Sequence, residues 1–226
     1  MLKIENVVTP SPEQWKAVIM GTRNPLNSWN RSDTIIYEHE LEDWPHAVKT
    51  FNGIGFNDHD LMMRLRNAGT DHRKFMRMIT VYLDITAPLY WWKEFDTYKV
   101  GTVANSCSTM HKIAAKEFTL EDFSCEHLTV ESITFGLEPV IDILNKNREL
   151  YVQWKNAGEE KKNLWWQMIQ LLPTSYNQKR TVMLNYEVLA NIYKSRRHHR
   201  LDEWHTLCDW ISELPYSELI TGEEYE

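Results

Sequence analysis

Residues 172–204 read LPTSYNQKRTVMLNYEVLANIYKSRRHHRLDEW, and this stretch decides the expected fold. Leu172 and Pro173 end the preceding element, and small polar residues follow that can cap a helix. From about Gln178 no glycine or proline interrupts the chain for more than thirty residues. Apolar residues recur at helical intervals on two neighbouring stripes: Met183, Tyr186, Ala190 and Tyr193, and Leu184, Val188 and Ile192. The pattern predicts one long, mostly buried helix that is central to the C-terminal part of the fold.

Two polar residues interrupt the apolar character of this predicted helix. Asn185 and Arg196 are eleven residues apart, which is about three helical turns, so both would project from nearly the same face. The helix would end in the basic run at residues 194–200, KSRRHHR. Cations in a last turn favourably oppose the helix dipole, and helix-end statistics favour that structural interpretation. The alternative is an anion or nucleotide site, because arginine offers a planar fork to a phosphate or a pyrimidine edge.

The composition limits the class of protein. With 226 residues and 42% hydrophobic content, the chain can bury a sizeable core, and we expect one domain over residues 1–226. A net charge of −7 argues against a general nucleic-acid binder. No apolar run is long enough to span a membrane, and the N-terminus does not resemble a signal peptide, so the expectation is a cytoplasmic protein. Ten tryptophans and ten tyrosines make an oligomer plausible.

The remaining pattern predicts a mixed α/β fold. Residues 78–85, MITVYLDI, alternate as a strand does, and Ala87-Pro88 ends that strand before a helix at residues 89–96. Further helices are expected at 43–52, 58–68, 138–158 and 159–172, and further strands at 1–8, 34–37 and 130–136. Together these elements predict a mixed sheet flanked by helices.

The chemistry visible in the sequence is sparse. Residues 98–111, YKVGTVANSCSTMH, form either a ligand-binding loop that exposes backbone N–H groups or an ordinary connection. The group His198, His199, His205 and Cys208 lacks a carboxylate to complete a recognisable ligand set, so no metal site is expected. The cysteines, three in number, show no CxxC spacing.

Two segments together resemble the flavin-dependent thymidylate synthase (ThyX) family. The first is the strand, Ala-Pro turn and helix at residues 79–95, ITVYLDITAPLYWWKEF, and the second is the stretch 172–204. The interval from Pro173 to Asn185 matches the family without a gap. The resemblance implies an α/β homotetramer with sites between subunits. It also implies reductive methylation of dUMP with FAD, NADPH and methylenetetrahydrofolate.

The resemblance carries over to particular residues. Asn185, Asn191 and Arg196 fall on the two asparagines and on the arginine that holds the pyrimidine in the family. Asn105 and Ser108 fall on the asparagine and last serine of the signature RHRxxSxNExSxR, and Arg77 falls on a flavin-contacting histidine. The implied nucleotide-binding residues are Arg196, Arg197, Asn185, Ser108 and Asn105. The implied cofactor-binding residues are Asn191, Arg77, Lys99 and His199.

The chain also departs from the family pattern at its charged positions. The signature RHR is replaced by Tyr98, Lys99 and Val100, and a family arginine in the helix is replaced by Glu187. Burying a phosphate without its cationic partners would cost several kcal/mol. Either other residues hold the ligands, or the ligands differ from FAD and dUMP. The expected functions are therefore a divergent flavin-dependent enzyme that acts on a pyrimidine nucleotide, or a non-catalytic protein that senses or sequesters one.

Overall fold

The computed structural model describes residues 2–39, 48–154 and 158–222. The chain has a mixed α/β architecture in which a four-stranded sheet of order β1-β4-β6-β5 is flanked by helices, so the fold-class prediction is confirmed. The sheet contains β1 (Lys3–Val8), β4 (Thr80–Pro88), β5 (Val103–Ser106) and β6 (Asn177–Asn185). A separate two-stranded sheet pairs β2 (Tyr37–His39) with β3 (Val48–Thr50), with Tyr37 opposite Thr50.

The helices are, in chain order, α1 (Pro12–Arg23), α2 (Phe56–Asn67), α3 (Leu89–Phe95), α4 (Val130–Ser132), α5 (Glu138–Gln153), α6 (Glu159–Leu171), α7 (Tyr186–Arg196), α8 (Asp202–Ser212) and α9 (Glu218–Thr221). Ser11 is the N-cap of α1, and its hydroxyl and Gln14 form a capping box. None of the helices in residues 2–39, 48–154 and 158–222 combines the length and the hydrophobicity of a transmembrane span.

The long helix predicted from Gln178 is wrong in its first half. Residues Asn177–Asn185 form strand β6, and helix α7 begins only at Tyr186. Val182 and Leu184 are fully buried, whereas Thr181 is exposed and Met183 is half-buried. Burial therefore alternates from one residue to the next, as it does in a strand. The apolar residues of this segment fit both periods, and pairing with β4 and β5 decides between them.

Three other predicted elements are also corrected. The strand expected at 130–136 is helical, because α4 continues through the π-helical residues Ile133–Leu137 into α5. The helix expected at 43–52 lies partly outside the described residues, and its last part forms β3. The loop expected at 98–111 contains the edge strand β5.

The chain divides into two compact units. Unit 1 comprises Met1–Glu5, Asp84–Thr97 and Ala104–Thr181, and unit 2 comprises Asn6–Leu83, Tyr98–Val103 and Val182–Glu226. The core of unit 1 includes Phe118, Phe123, Leu144 and Met168, and the helices α5 and α6 pack against each other there. The core of unit 2 includes the fully buried Trp204, Tyr186 and Met62. The expectation of a single domain stays a prediction.

Candidate functional site

Asn185 lies at the junction between β6 and α7 in unit 2, with 7% of its surface exposed. Its side-chain oxygen accepts a hydrogen bond from the backbone N–H of Val188 at 3.0 Å, so Asn185 is the N-cap of α7. Its amide nitrogen donates to the carbonyl of Gly101 at 3.3 Å. Asn185 therefore ties the start of α7 to the segment that contains Gly101, and it does not share a helix face with Arg196 as predicted.

Arg196 lies at the other end of α7 and is held by aromatic side chains. Its Nε donates to the hydroxyl of Tyr98 at 3.0 Å. Its guanidinium carbon lies 4.8 Å from the centre of the Trp204 ring and 5.7 Å from that of Tyr98. A guanidinium stacked on aromatic faces gains cation–π energy and loses rotational freedom. Arg196 is thus half-buried and oriented before any ligand arrives.

One carboxylate, that of Glu187, pairs with two cations at the start of α7. The carboxylate of Glu187 accepts hydrogen bonds from Nε and Nη2 of Arg77. It also accepts one from Nε of Arg73 at 3.4 Å. The bond from Arg77, followed by its charge, lowers the pKa of Glu187 despite burial. Arg73 also donates to the side-chain oxygen of Asn191 at 3.1 Å. The structure thus brings together Arg77 and Asn191, two of the predicted cofactor-binding residues, through Arg73 and Glu187.

Two cavities in unit 2 flank the C-terminal half of α7. One of about 540 Å³ is lined by Arg197, His199, His205 and Cys208, among others. Among the described residues, no group of three or more His, Cys, Asp or Glu side chains is arranged to hold a metal ion. His199 accepts from the N–H of Leu201 at 3.2 Å, which fixes its ring beside α8.

The second cavity, of about 350 Å³, contains Asn191, two cations of the basic run, Lys194 and Arg197, and two cations that the sequence did not single out, Arg66 and Arg73. Arg66 and Arg73 lie more than a hundred residues from α7 in sequence, so no local spacing could connect them with Lys194. The basic run 194–200 was the only sequence signal for this region.

The predicted residues of segment 98–111 fall in both units. Lys99 is exposed and belongs to unit 2, whereas Asn105 and Ser108 are exposed and belong to unit 1. The hydroxyl of Ser108 accepts the backbone N–H of His111 at 2.9 Å and so stabilises a turn. The roles assigned to Lys99, Asn105 and Ser108 stay predictions.

No protein-family model matches the sequence, and no curated protein matches it by sequence. Solved structures do share its fold. Thymidylate synthase X (ThyX) from Helicobacter pylori with FAD and dUMP superposes with a TM-score of 0.64 at 14% identity, over 98% of both chains. A second complex of the H. pylori flavin-dependent thymidylate synthase with FAD and dUMP gives 0.61 at 14% identity, over 98% of both chains.

The UMP/dUMP methylase PolB from Streptomyces cacaoi bound with 5-Br dUMP gives a TM-score of 0.59 at 12% identity, over 98% of this chain and 95% of that chain. At such identities the similarity establishes a ThyX-like fold and nothing finer. It covers almost the whole of each chain.

Proposed function

We propose that this chain binds a pyrimidine nucleotide, with the guanidinium of Arg196 recognising the base. The observation that carries the proposal is the fixed orientation of Arg196 between Tyr98 and Trp204, at the position that the resemblance assigns to pyrimidine recognition. The three similar structures support it, because each holds dUMP or 5-Br dUMP.

The residues around Arg196 would act by positioning. The Tyr98 hydroxyl is 2.8 Å from the Ser195 hydroxyl, which in turn donates to the carbonyl of Asn191 at 2.7 Å. Tyr98 is thereby fixed to α7 and in turn fixes Arg196. Because the orientation is set beforehand, less entropy is lost when a base binds. Asn185 contributes by holding the segment around Gly101 against the start of α7.

Glu187 and its partners Arg73 and Arg77 do not fit the diphosphate group of a flavin cofactor. The resemblance places an arginine at this position, whereas the carboxylate of Glu187 would repel a diphosphate. Glu187 also forms ion pairs with both Arg77 and Arg73. If FAD binds, other residues must hold its phosphates. We therefore derive the proposed binding from Arg196 and its neighbours, without any step that involves a flavin.

Titration calorimetry of the full chain with dUMP and UMP tests the proposal. We expect binding of at least one of these nucleotides, and a loss of about tenfold or more in affinity in Arg196→Gln, because a charge-assisted, two-pronged contact is removed. Arg196→Lys keeps the positive charge but loses the planar pair of N–H donors of the guanidinium, so it should also weaken binding.

The matched control is Arg64→Gln, since Arg64 is a surface residue with 66% of its side chain exposed and pairs only locally with Asp60. Its affinity should equal that of the unaltered chain. Far-UV circular dichroism checks that the Arg196 variants are folded. A folded Arg196→Gln with unchanged affinity, or a full chain that binds neither nucleotide, contradicts the proposal.

The second candidate is flavin-dependent reductive methylation of dUMP. Two of the structures with this fold contain FAD as well as dUMP, which is the observation in its favour. In that case FAD would supply the hydride chemistry, and Asn191 would contact it. Flavin absorbance in the purified or FAD-reconstituted protein, reduced in Asn191→Ala, would support this candidate. A colourless protein that cannot be reconstituted would remove it.

The proposal includes a homotetramer with the nucleotide site between subunits, as the family resemblance implies. Several large apolar side chains are exposed on the chain, for example Phe135 at 79% and Phe56 at 81%, and such groups are often covered in an oligomer. Light scattering after size exclusion should give four times the chain mass of 26.9 kDa. A monomer at all concentrations would contradict this part of the proposal.

A further inference from the structure

The cavity of about 350 Å³ in unit 2 has an unusual charge. It is lined by four cations, Arg66, Arg73, Lys194 and Arg197, and no acidic residue of the described chain lines it. The whole chain carries 32 acidic and 25 basic residues, so a chance grouping would contain carboxylates. Asn191 adds a neutral polar group at its edge.

This cavity lies on a different face of α7 from Arg196. Ala190, Lys194 and Arg197 recur at intervals of three and four residues and so share one face. At about 100° per residue, Arg196 points roughly a third of a turn away from the middle of that face. The cavity is therefore separate from the site proposed for the base.

The positive charge is incompletely balanced within the described structure. Arg66 donates to the carbonyls of Leu219 and Ile220 at 3.3 and 3.0 Å and to the side chain of Asn67, which are all neutral acceptors. Burial, followed by the nearby charge of Arg73, lowers the pKa of Arg66. The two guanidinium groups are thus close enough to repel each other.

Two of the other three lining cations, Arg73 and Lys194, are also incompletely balanced by the described residues. Arg73 shares the single carboxylate of Glu187 with Arg77. Lys194 is exposed and forms no ion pair with any described residue. Among the residues that the structure describes, Arg66 and Lys194 therefore have no carboxylate partner.

Helix capping does not account for this arrangement by itself. Arg66 reaches the carbonyls of α9, and Lys194 lies in the last turn of α7, where each helix end supplies about half a negative charge at most. These partial charges offset about one of the cations. They cannot explain why Arg73 and Arg66 are kept close to each other and to Lys194 around one cavity.

We infer that this cavity binds the phosphate or diphosphate group of a small phosphorylated ligand. An anion would relieve the repulsion between Arg66 and Arg73 and would give Lys194 a partner. Guanidinium groups and an ammonium group are the donors that phosphate oxygens prefer. A volume of about 350 Å³ exceeds one phosphate and suits a small ligand. The inference does not depend on the function proposed for Arg196.

Titration of the full chain with inorganic pyrophosphate at low salt tests the inference. We expect binding that weakens as salt is added. Lys194→Gln should reduce the affinity about tenfold, since one charged contact is lost, and Lys194→Glu should abolish it. Lys194 is exposed and makes no described contact, so these variants should fold. Lys112→Gln changes the same charge at an exposed position of unit 1 and should have no effect.

Two further experiments distinguish this cavity from the proposed nucleotide site and identify which kind of phosphate ligand it binds. Arg196→Gln should leave the affinity for pyrophosphate unchanged. Parallel titrations with inorganic phosphate, dUMP and FAD show which class of ligand loses affinity in Lys194→Gln. The inference is overturned if the full chain does not bind pyrophosphate, if Lys194→Gln binds it as well as the unaltered chain, or if only Arg196→Gln weakens it.

Discussion

Both polar atoms of the Asn185 side chain form hydrogen bonds within the protein. Its oxygen caps α7 and its nitrogen donates to Gly101, so a direct bond to a ligand would compete with one of these contacts. We therefore expect Asn185 to act mainly by positioning the segment at Gly101, while Arg196 provides recognition. The role of Asn185 as a direct ligand contact stays a prediction.

Gly101 is required by this arrangement. Its φ is +80°, and a Cβ at this position would lie 2.6 Å from the side-chain nitrogen of Asn185. Gly101→Ala should lower the free energy of unfolding by about 2 kcal/mol, from left-handed backbone strain and from displacement of the Asn185 amide. Urea denaturation measures the change.

Gly69 provides the matched control, because its φ is +104° and a Cβ there would meet nothing within 4 Å. Gly69→Ala should show the backbone strain alone, about 1 kcal/mol. Equal losses at the two positions would mean that the contact with Asn185 contributes nothing.

At the scale of elements, the junction of β6 and α7 organises unit 2. The strand delivers Asn185 to the first turn of the helix, and the helix then carries Glu187, Asn191 and Arg196. A continuous helix would have placed Asn185 and Arg196 on one face. The change from strand to helix instead makes Asn185 a cap, so the two residues act at opposite ends of an eleven-residue helix.

Substitution of the cap tests this junction. Asn185→Ala should destabilise the fold by about 2 kcal/mol, since both the cap and the bond to Gly101 are lost. Asn185→Ser keeps an oxygen for the Val188 N–H but cannot reach the Gly101 carbonyl, so it should lose about half as much. Urea denaturation, with α-helical circular dichroism as the signal, measures both. A serine variant as unstable as the alanine variant would show that the cap is unimportant.

At the scale of the whole molecule, buried charge makes stability depend on pH. Asp58 in α2 is 1% exposed and accepts hydrogen bonds from Arg23, Ser32 and Thr34. Burial alone would raise the pKa of Asp58, but the bonds from Thr34, Ser32 and Arg23 together outweigh it and lower that pKa. The carboxylate is therefore more acidic in the folded chain than in the unfolded one.

The sign of the resulting pH dependence follows from linkage. The stabilisation from Asp58 is fully present above the unfolded pKa of about 3.9 and is lost as pH falls towards the lower folded value. Denaturation at pH 7 and at about pH 3 should show the loss. Asp58→Asn should destabilise the chain at pH 7 by about 3–5 kcal/mol, because Arg23 keeps a buried charge without its partner.

Asp60→Asn is the control, because 51% of the Asp60 side chain is exposed and its pair with Arg64 lies on the surface. This variant should change stability by less than about 1 kcal/mol at pH 7. If Asp58→Asn were equally mild, the network around Asp58 would not be a source of stability.

Elements with local signals could be predicted from the order of the residues alone. Strand β4, the helix after Ala87-Pro88 and the helices α5 and α6 follow from periodicity and turn residues. The local order of residues 172–204 also carried the resemblance to ThyX, although identity to the similar structures is only 12–14%. The basic run 194–200 supplied two of the cations, Lys194 and Arg197, that line the smaller cavity beside α7.

Only the tertiary structure decided the rest. The apolar residues of 178–185 fit a helix and a strand alike, and hydrogen bonding to neighbouring strands made them β6. The pairing of Glu187 with Arg73 and Arg77, and the gathering of Arg66 with Lys194, join residues more than a hundred positions apart. Such contacts depend on how the helices of unit 2 pack, and no sequence spacing encodes them.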